Sequence, residues 1–480
     1  MKIGWIQLGA GLIIGVIICI GLLFFSGILV TPADETTTTT SVSTTTRPPI
    51  TSIRNMTATI PPTNTTITTA STKNVTQSSV EQLPADILSN ETPQWSPFGT
   101  DLSGCSNGDN GLSSPPLYLE TSYMIEPMGK IAGAHHITPT DHLYIYVDIV
   151  DDKLEDVLAP AAGYIVKIQR MSDREGTEDY RIIIEHSCTL FTYYIHLQEL
   201  DPIIVNEIGK IVNFQSYHKR IAVSSGQVIG KVGKLLSYQR IFNQSGFDFA
   251  LIDTTITLPG FVIPGHYDNE AWKIHTVDPF DYYEEPLRSQ LLEKNFRDIN
   301  PRGGKIDFDI DGRLVGNWFL DGTENYGARG VAGKSKAEWM DIYGRDVGEC
   351  TSEYWDRDKG ESIGIVPCDY WLGHLTFAYD NIIPNQIKIS MGVFWDFEGG
   401  PPWGVKNNAP DPSSVDIETG IVKYEIFTDF ENNIESEPYN IVGVLLVQMI
   451  DDQTIKVELF LGKSFEEINN FSEEARFYRR

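Results

Sequence analysis

The residues able to do chemistry crowd into one stretch of this chain. Five of the nine histidines, His135, His136, His142, His186 and His196, lie between Ala134 and Leu197, and Asp141 sits directly beside His142. Imidazole nitrogens and carboxylates hold divalent metals and move protons near neutral pH. Any metal or acid–base chemistry in this chain therefore belongs to that stretch. No Cys-x-x-Cys pair occurs among the five cysteines, which argues against a thiolate zinc site, since such sites use close pairs. Each candidate also has an ordinary structural role. His135 and His136 read as loop residues with exposed rings, Asp141-His142 as a local turn contact, and His196 as a hydrogen-bonded strand histidine.

The elements that must position these residues are strands, and the fold class is mainly β. Leu143–Val150, Ala162–Ile168, Arg181–His186, Leu190–Leu197, Gly226–Gly233 and Phe247–Ile252 are short β-branched and aromatic runs between polar turns. That pattern predicts antiparallel sheets. A short helix and hinge follow over Pro286–Glu293, and the turn cluster Asn300–Gly304 marks a boundary. Beyond it, Lys305–Ile310, Gly312–Leu320, Leu372–Tyr379, Gln386–Met391, Val422–Phe427, Val442–Ile450 and Thr454–Leu461 predict the strands of a small barrel or sandwich. The last two form a hairpin across Asp451-Asp452-Gln453. Ser464–Phe477 predicts a closing helix, with Ser464 as N-cap and Glu466 and Glu467 in its first turn. Asp307, Asp309, Asp311 and Gly312 resemble the start of a calcium loop, but Trp318 stands where the loop needs its last carboxylate, so an acidic turn is the reading. Trp318, Trp339, Trp355, Trp371, Trp395 and Trp403 fit core packing better than a carbohydrate platform.

Four segments in the first half carry a more specific signal. Val157-Leu-Ala-Pro-Ala-Ala-Gly-Tyr-Ile-Val166, Ile182-Ile-Ile-Glu-His186, Thr192-Tyr-Tyr-Ile-His-Leu197 and Ser225-Gly-Gln-Val-Ile-Gly-Lys-Val-Gly233 follow one another in that order. Together they resemble the lysostaphin-type (LytM-like) metallopeptidases over residues 128–287. That resemblance implies a duplicated-hybrid-motif β-sheet core and zinc-dependent cleavage of peptidoglycan cross-bridges or related peptides. It further implies that His136 and Asp141 are the first two zinc ligands, with one residue more between them than the usual spacing, and that His196 activates water. The family's third ligand belongs to a His-x-His pair. Here Gly246 and Asp248 occupy the two positions, so the pair is missing and Asp248 is the implied third ligand. A His/Asp/Asp set is harder than the usual zinc set and suits Mn or Ca better. The histidine lost at Gly246 also removes a proton-transfer partner, for which His135, His142 or His186 is the stand-in. The catalytic pair implied is His196 with His186, and the cofactor, if one binds, is Zn.

Composition and charge set the location. Against 37 Lys+Arg the chain carries 65 Asp+Glu, a formal net charge of −28. Such a field repels nucleic acid, and no basic face is visible. No charged residue occurs from Ile3 to Ala33, a run long enough to span a bilayer. Residues 1–33 are expected to be an uncleaved single-pass transmembrane anchor with the N-terminus cytoplasmic and the bulk extracytoplasmic; the rival reading is a cleaved signal peptide. Residues 34–95 read as a Thr/Ser/Pro-rich disordered stalk, with sequons at Asn55, Asn64, Asn74 and Asn90 and further ones at Asn243 and Asn470. Residues 96–299 then form the peptidase-like domain and 300–480 the barrel-like domain. Outside the apolar run, Cys105, Cys188, Cys350 and Cys368 permit disulfides in any of three pairings, of which Cys105–Cys188 with Cys350–Cys368 keeps each bridge inside one domain.

Three functions are compatible with these features. The first is a degenerate member of the peptidase family that binds a metal or an envelope polymer or peptide. The second is an active metalloendopeptidase using His136, Asp141, Asp248 and His196. The third is a structural or adhesive envelope component.

Overall fold

The computed structural model describes residues 96–480 apart from 109–110, 133–136, 149–152, 172–176, 214, 234–243, 326–327, 348–350, 357–360, 368–370, 395–399 and 429–439. The proposed anchor and stalk, His135, His136, and Cys350 with Cys368 lie outside the described residues. Among the described residues no helix is long and apolar enough to cross a membrane.

Six strands carry the first half: β1 (Tyr123–Glu126), β2 (Leu143–Asp148), β3 (Gly163–Arg170), β4 (Tyr180–Glu185), β5 (Leu190–Leu197) and β6 (Gln244–Asp253). They run in the order β1-β2-β6-β5-β4-β3, every pair antiparallel, with Ser216–Tyr217, Ile221–Val223 and Thr276–Val277 adding short strands. Successive side chains in a strand point to opposite faces. One face carries Ile145, Val147, Ile182, Ile184, Tyr194, Phe247 and Phe249 into a large apolar core. The other carries Val166, Ile183, Phe191, Tyr193, Ala250 and Ile252 against Phe98 and Trp272. Both faces are covered, which is why β6 reads as a nearly continuous apolar run. A disulfide joins Cys105 to Cys188, tying the lead-in to the turn between β4 and β5.

The second half closes into an eight-stranded barrel: β7 (Gly316–Leu320), β8 (His374–Tyr379), β9 (Ile387–Met391), β10 (Trp403–Val405), β11 (Val422–Thr428), β12 (Ile441–Asp451), β13 (Thr454–Leu461) and β14 (Arg476–Arg479). Trp318 and Trp403 are fully buried inside it, and Trp339 and Trp371 pack against the same core. Those four indoles are core residues.

Two expectations fail here. The closing helix over Ser464–Phe477 is absent: the chain makes turns and ends in β14, which pairs with β13 and β7 and so completes the barrel. Lys423 Nζ takes the carbonyls of Phe465 (2.8 Å) and Ile468 (3.0 Å), acceptors a helix needs for its own ladder. Lys305–Ile310 is likewise extended but unpaired. Side chains there replace the ladder: Asp307 accepts from Gly260 N (2.9 Å), and Asp309 from Asn317 N (2.7 Å) and Val262 N (3.3 Å). The acidic turn thus spends these carboxylates on backbone N–H groups.

Sheet and barrel belong to one compact unit running from Pro84 to Arg480. Met128, Ile137, Phe261 and Tyr267 join the barrel's apolar core, and polar bonds also cross the seam. Asn381, after β8, donates to Glu126 Oε1 (3.1 Å) and the Pro127 carbonyl (2.7 Å), and Thr376 Oγ1 donates to the Thr138 carbonyl (2.9 Å). Removing a donor from a buried pair leaves its acceptors unsatisfied, at a cost of about 1–3 kcal/mol. Asn381→Ala is therefore expected to reduce the unfolding free energy by about that amount, read as a lower urea midpoint with an unchanged slope; an unaltered midpoint would show that the seam does not depend on this residue.

Candidate functional site

The site forms where β2, β6 and β5 lie side by side. Asp248 on β6 is in register with Tyr144 on β2 and Ile195 on β5, so all three share a face. His142 and Asp141 immediately precede β2 and stand over that face. His196 follows Ile195, and simple alternation would aim it at the opposite face. The β4–β5 register slips between Tyr180 and Ile182, and His196 takes a left-handed backbone with φ of 75°. This irregularity turns its ring back towards Asp248. A bulge that re-aims a side chain and a strained non-glycine residue recur at functional sites.

The result is an alternating chain of acids and imidazoles. Asp141 Oδ1 lies 3.2 Å from His142 Nδ1, and His142 Nε2 lies 3.4 Å from Asp248 Oδ2. The same Asp248 oxygen is 3.5 Å from His196 Nε2, and His196 Nδ1 is 2.9 Å from Asp179 Oδ2. All five residues are buried, Asp248 and Asp179 to 1% exposure. Tyr193 OH donates to Asp141 Oδ1 (3.0 Å), and Trp272 Nε1 donates to Asp141 Oδ2 (2.8 Å). Lys273, wholly buried, donates to the Pro139 carbonyl at 2.6 Å and places its charge near Asp141.

Burial disfavours every charge in this network, so each ionised group depends on its neighbours. For His142 burial works against the imidazolium, but the facing Asp248 carboxylate and the Asp141 contact outweigh it and raise its pKa above the usual histidine value. Burial likewise opposes the Asp141 carboxylate; the His142 hydrogen bond, the Lys273 charge and Tyr193 nevertheless hold it well below the usual carboxylate range. Burial, reinforced by Asp141, pushes the Tyr193 hydroxyl far up, so it stays a donor. Burial lowers the pKa of Lys273 against the pull of Asp141.

Of the candidates from sequence, Asp141, Asp248 and His196 converge, with His142 between the first two. His136 lies outside the described residues. His186 sits at the other end of the β4–β5 hairpin: Glu185 pairs with Phe191 there, whereas Tyr180 pairs with Leu197 at the site end. Its Nδ1 donates to the Ala162 carbonyl (3.0 Å) and its Nε2 accepts from Thr192 Oγ1 (2.9 Å). Burial pushes its pKa down to about 4, against the Ala162 bond, so the ring is neutral at pH 7. It edges a separate cleft of about 750 Å³. Asp179 carried no sequence signal, since it enters the site only through the bulge opposite it.

Asp141 spends both carboxylate oxygens on protein donors, whereas Asp248 Oδ1 is buried with no hydrogen-bond partner. Among the described residues no group of three His, Cys, Asp or Glu side chains is arranged to hold a metal ion. His136, the remaining ligand that the resemblance implies, lies outside the described residues.

No family model and no curated protein matches the chain. Solved structures show distant likeness. A chain of the SpoIIQ–SpoIIIAH pore-forming complex is 16% identical with a TM-score of 0.24, over 37% of this chain and 95% of that one. The catalytic domain of prophage-encoded EnpA from Enterococcus faecalis is 14% identical with a TM-score of 0.18, over 29% and 86%. Lysostaphin is 11% identical with a TM-score of 0.18, over 59% and 87%. Likeness at this level carries no argument about chemistry.

The sign of the pH dependence follows from His142. Its pKa is raised on folding, so its contribution to stability is complete below the unfolded value of about 6.5 and is lost as pH rises through the folded value. Thermal melts should therefore fall as pH climbs out of that window, and Asp248→Asn, which removes the facing charge, should flatten the slope. A parallel pH profile in the variant would show that Asp248 does not hold that proton.

Proposed function

We propose that this is an extracytoplasmic, membrane-anchored protein whose lysostaphin-like β domain binds an envelope polymer or peptide without hydrolysing it. The observation that carries this reading is the commitment of Asp141. A hydrolytic zinc site needs three ligands turned to the ion and an open fourth position for water. Here His142, Tyr193 and Trp272 take both Asp141 oxygens, and the five members of the acid–imidazole chain are buried against one another. The mismatch at Gly246 and Asp248 points the same way.

A second reading rests on one specific atom. Asp248 Oδ1, buried without a partner, is available to a cation, and His136 with Asp141 would complete a His/Asp/Asp set. In that reading these residues would hold the ion, which would supply water activation when bound, and His196, oriented by Asp179, would accept the proton.

The two readings separate on one preparation. Full-length protein purified without chelator is expected to hold less than one equivalent of metal, to release nothing from labelled peptidoglycan or pentaglycine, and to sediment with the polymer. Stoichiometric zinc lost in His136→Ala, together with hydrolysis, would replace the first reading by the second.

A further inference from the structure

Arg181 is given stacking by the fold but, among the described residues, no counter-charge. It lies on β4 two residues after Asp179, with its guanidinium 4.8 Å from the Trp272 ring centre and 5.3 Å from that of Tyr193. Phe98 stacks on the far side of this shelf, 5.2 Å from Trp272 with the rings 16° apart. Arg181 Nε is buried with no hydrogen-bond partner, and among the described residues no carboxylate pairs with it. Arg170, Arg220, Arg288, Arg313 and Arg479 each meet an acid within 3.1 Å.

A partly buried guanidinium without an acceptor leaves a desolvation cost uncompensated. Its planar fork matches a carboxylate through two parallel hydrogen bonds, and aromatic faces fix its plane. Gln169, directly opposite Arg181 on β3, places an amide on the same face. The net charge of −28 works against any polyanion at long range, so the chemistry that fits is a single carboxylate on a small, otherwise neutral chain.

Resting on the binding role proposed above, we infer that Arg181, held on Trp272 and Tyr193, anchors the terminal carboxylate of a peptide, with Gln169 beside it.

The test uses the full-length protein, N-acetyl-trialanine with a free carboxylate, and the same peptide as its C-terminal amide. Tryptophan fluorescence and titration calorimetry read the binding. The acid is expected to bind and the amide to fail, and Arg181→Lys, which keeps charge and stem but loses the fork, to weaken the acid roughly tenfold or more. Gln169→Ala serves as the second variant if Arg181→Lys lowers the melting temperature, with a smaller loss in the same direction expected. Equal binding of acid and amide would overturn the assignment, as would unchanged affinity in a folded Arg181→Lys. Inorganic phosphate competing as well as the peptide acid would overturn it too. Peptidoglycan hydrolysis would refute the non-hydrolytic reading without touching this result, and absence of acid binding in a protein that still sediments with polymer would refute this one alone.

Discussion

Three carboxylates share the interior of one small region, and everything around them is arranged to make that tolerable. Asp248 stands between two imidazoles, and each imidazole is backed by a further acid, Asp141 on one side and Asp179 on the other. Like charges this close in a low-dielectric interior repel unless protons or cations intervene. His142, Lys273 and the donors Tyr193 and Trp272 supply that compensation around Asp141. The sheet enforces the geometry, because Asp248 is fixed by ladders to β2 and β5 at once.

The backbone has been bent to serve this cluster. A regular β5 would bury His196 among Tyr194, Leu197 and Phe247 on the apolar side. The left-handed φ at His196 costs of order 1–3 kcal/mol, and the Asp179 contact is what the distortion gains. The barrel contributes from outside: β8 and the following loop hold Glu126, Pro127 and Thr138, which precede Asp141.

Much of this was legible in the chain. The strand runs and the 451–453 hairpin turn follow from side-chain period and turn chemistry; the grouping of Asp141, His196 and Asp248 was what the lysostaphin-type resemblance implied, and alternation alone would turn His196 to the opposite face. Asp179 and Arg181 were not legible, since one depends on a register slip and the other on the absence of a partner, and neither leaves a trace in local composition. The last strand was hidden for a different reason. Residues 464–477 have helical cap chemistry, and only the vacancy between β13 and β7, together with Lys423 claiming two carbonyls, makes the turn-and-strand path win. Tertiary demand overrode local propensity there.

The Cys105–Cys188 bridge has a mechanical meaning. Tension applied to the polypeptide ahead of Cys105 does not peel β1 from the sheet margin. It is delivered covalently to the turn joining β4 and β5, two inner strands hydrogen-bonded on both sides, so the load is spread over several ladders before any one can unzip.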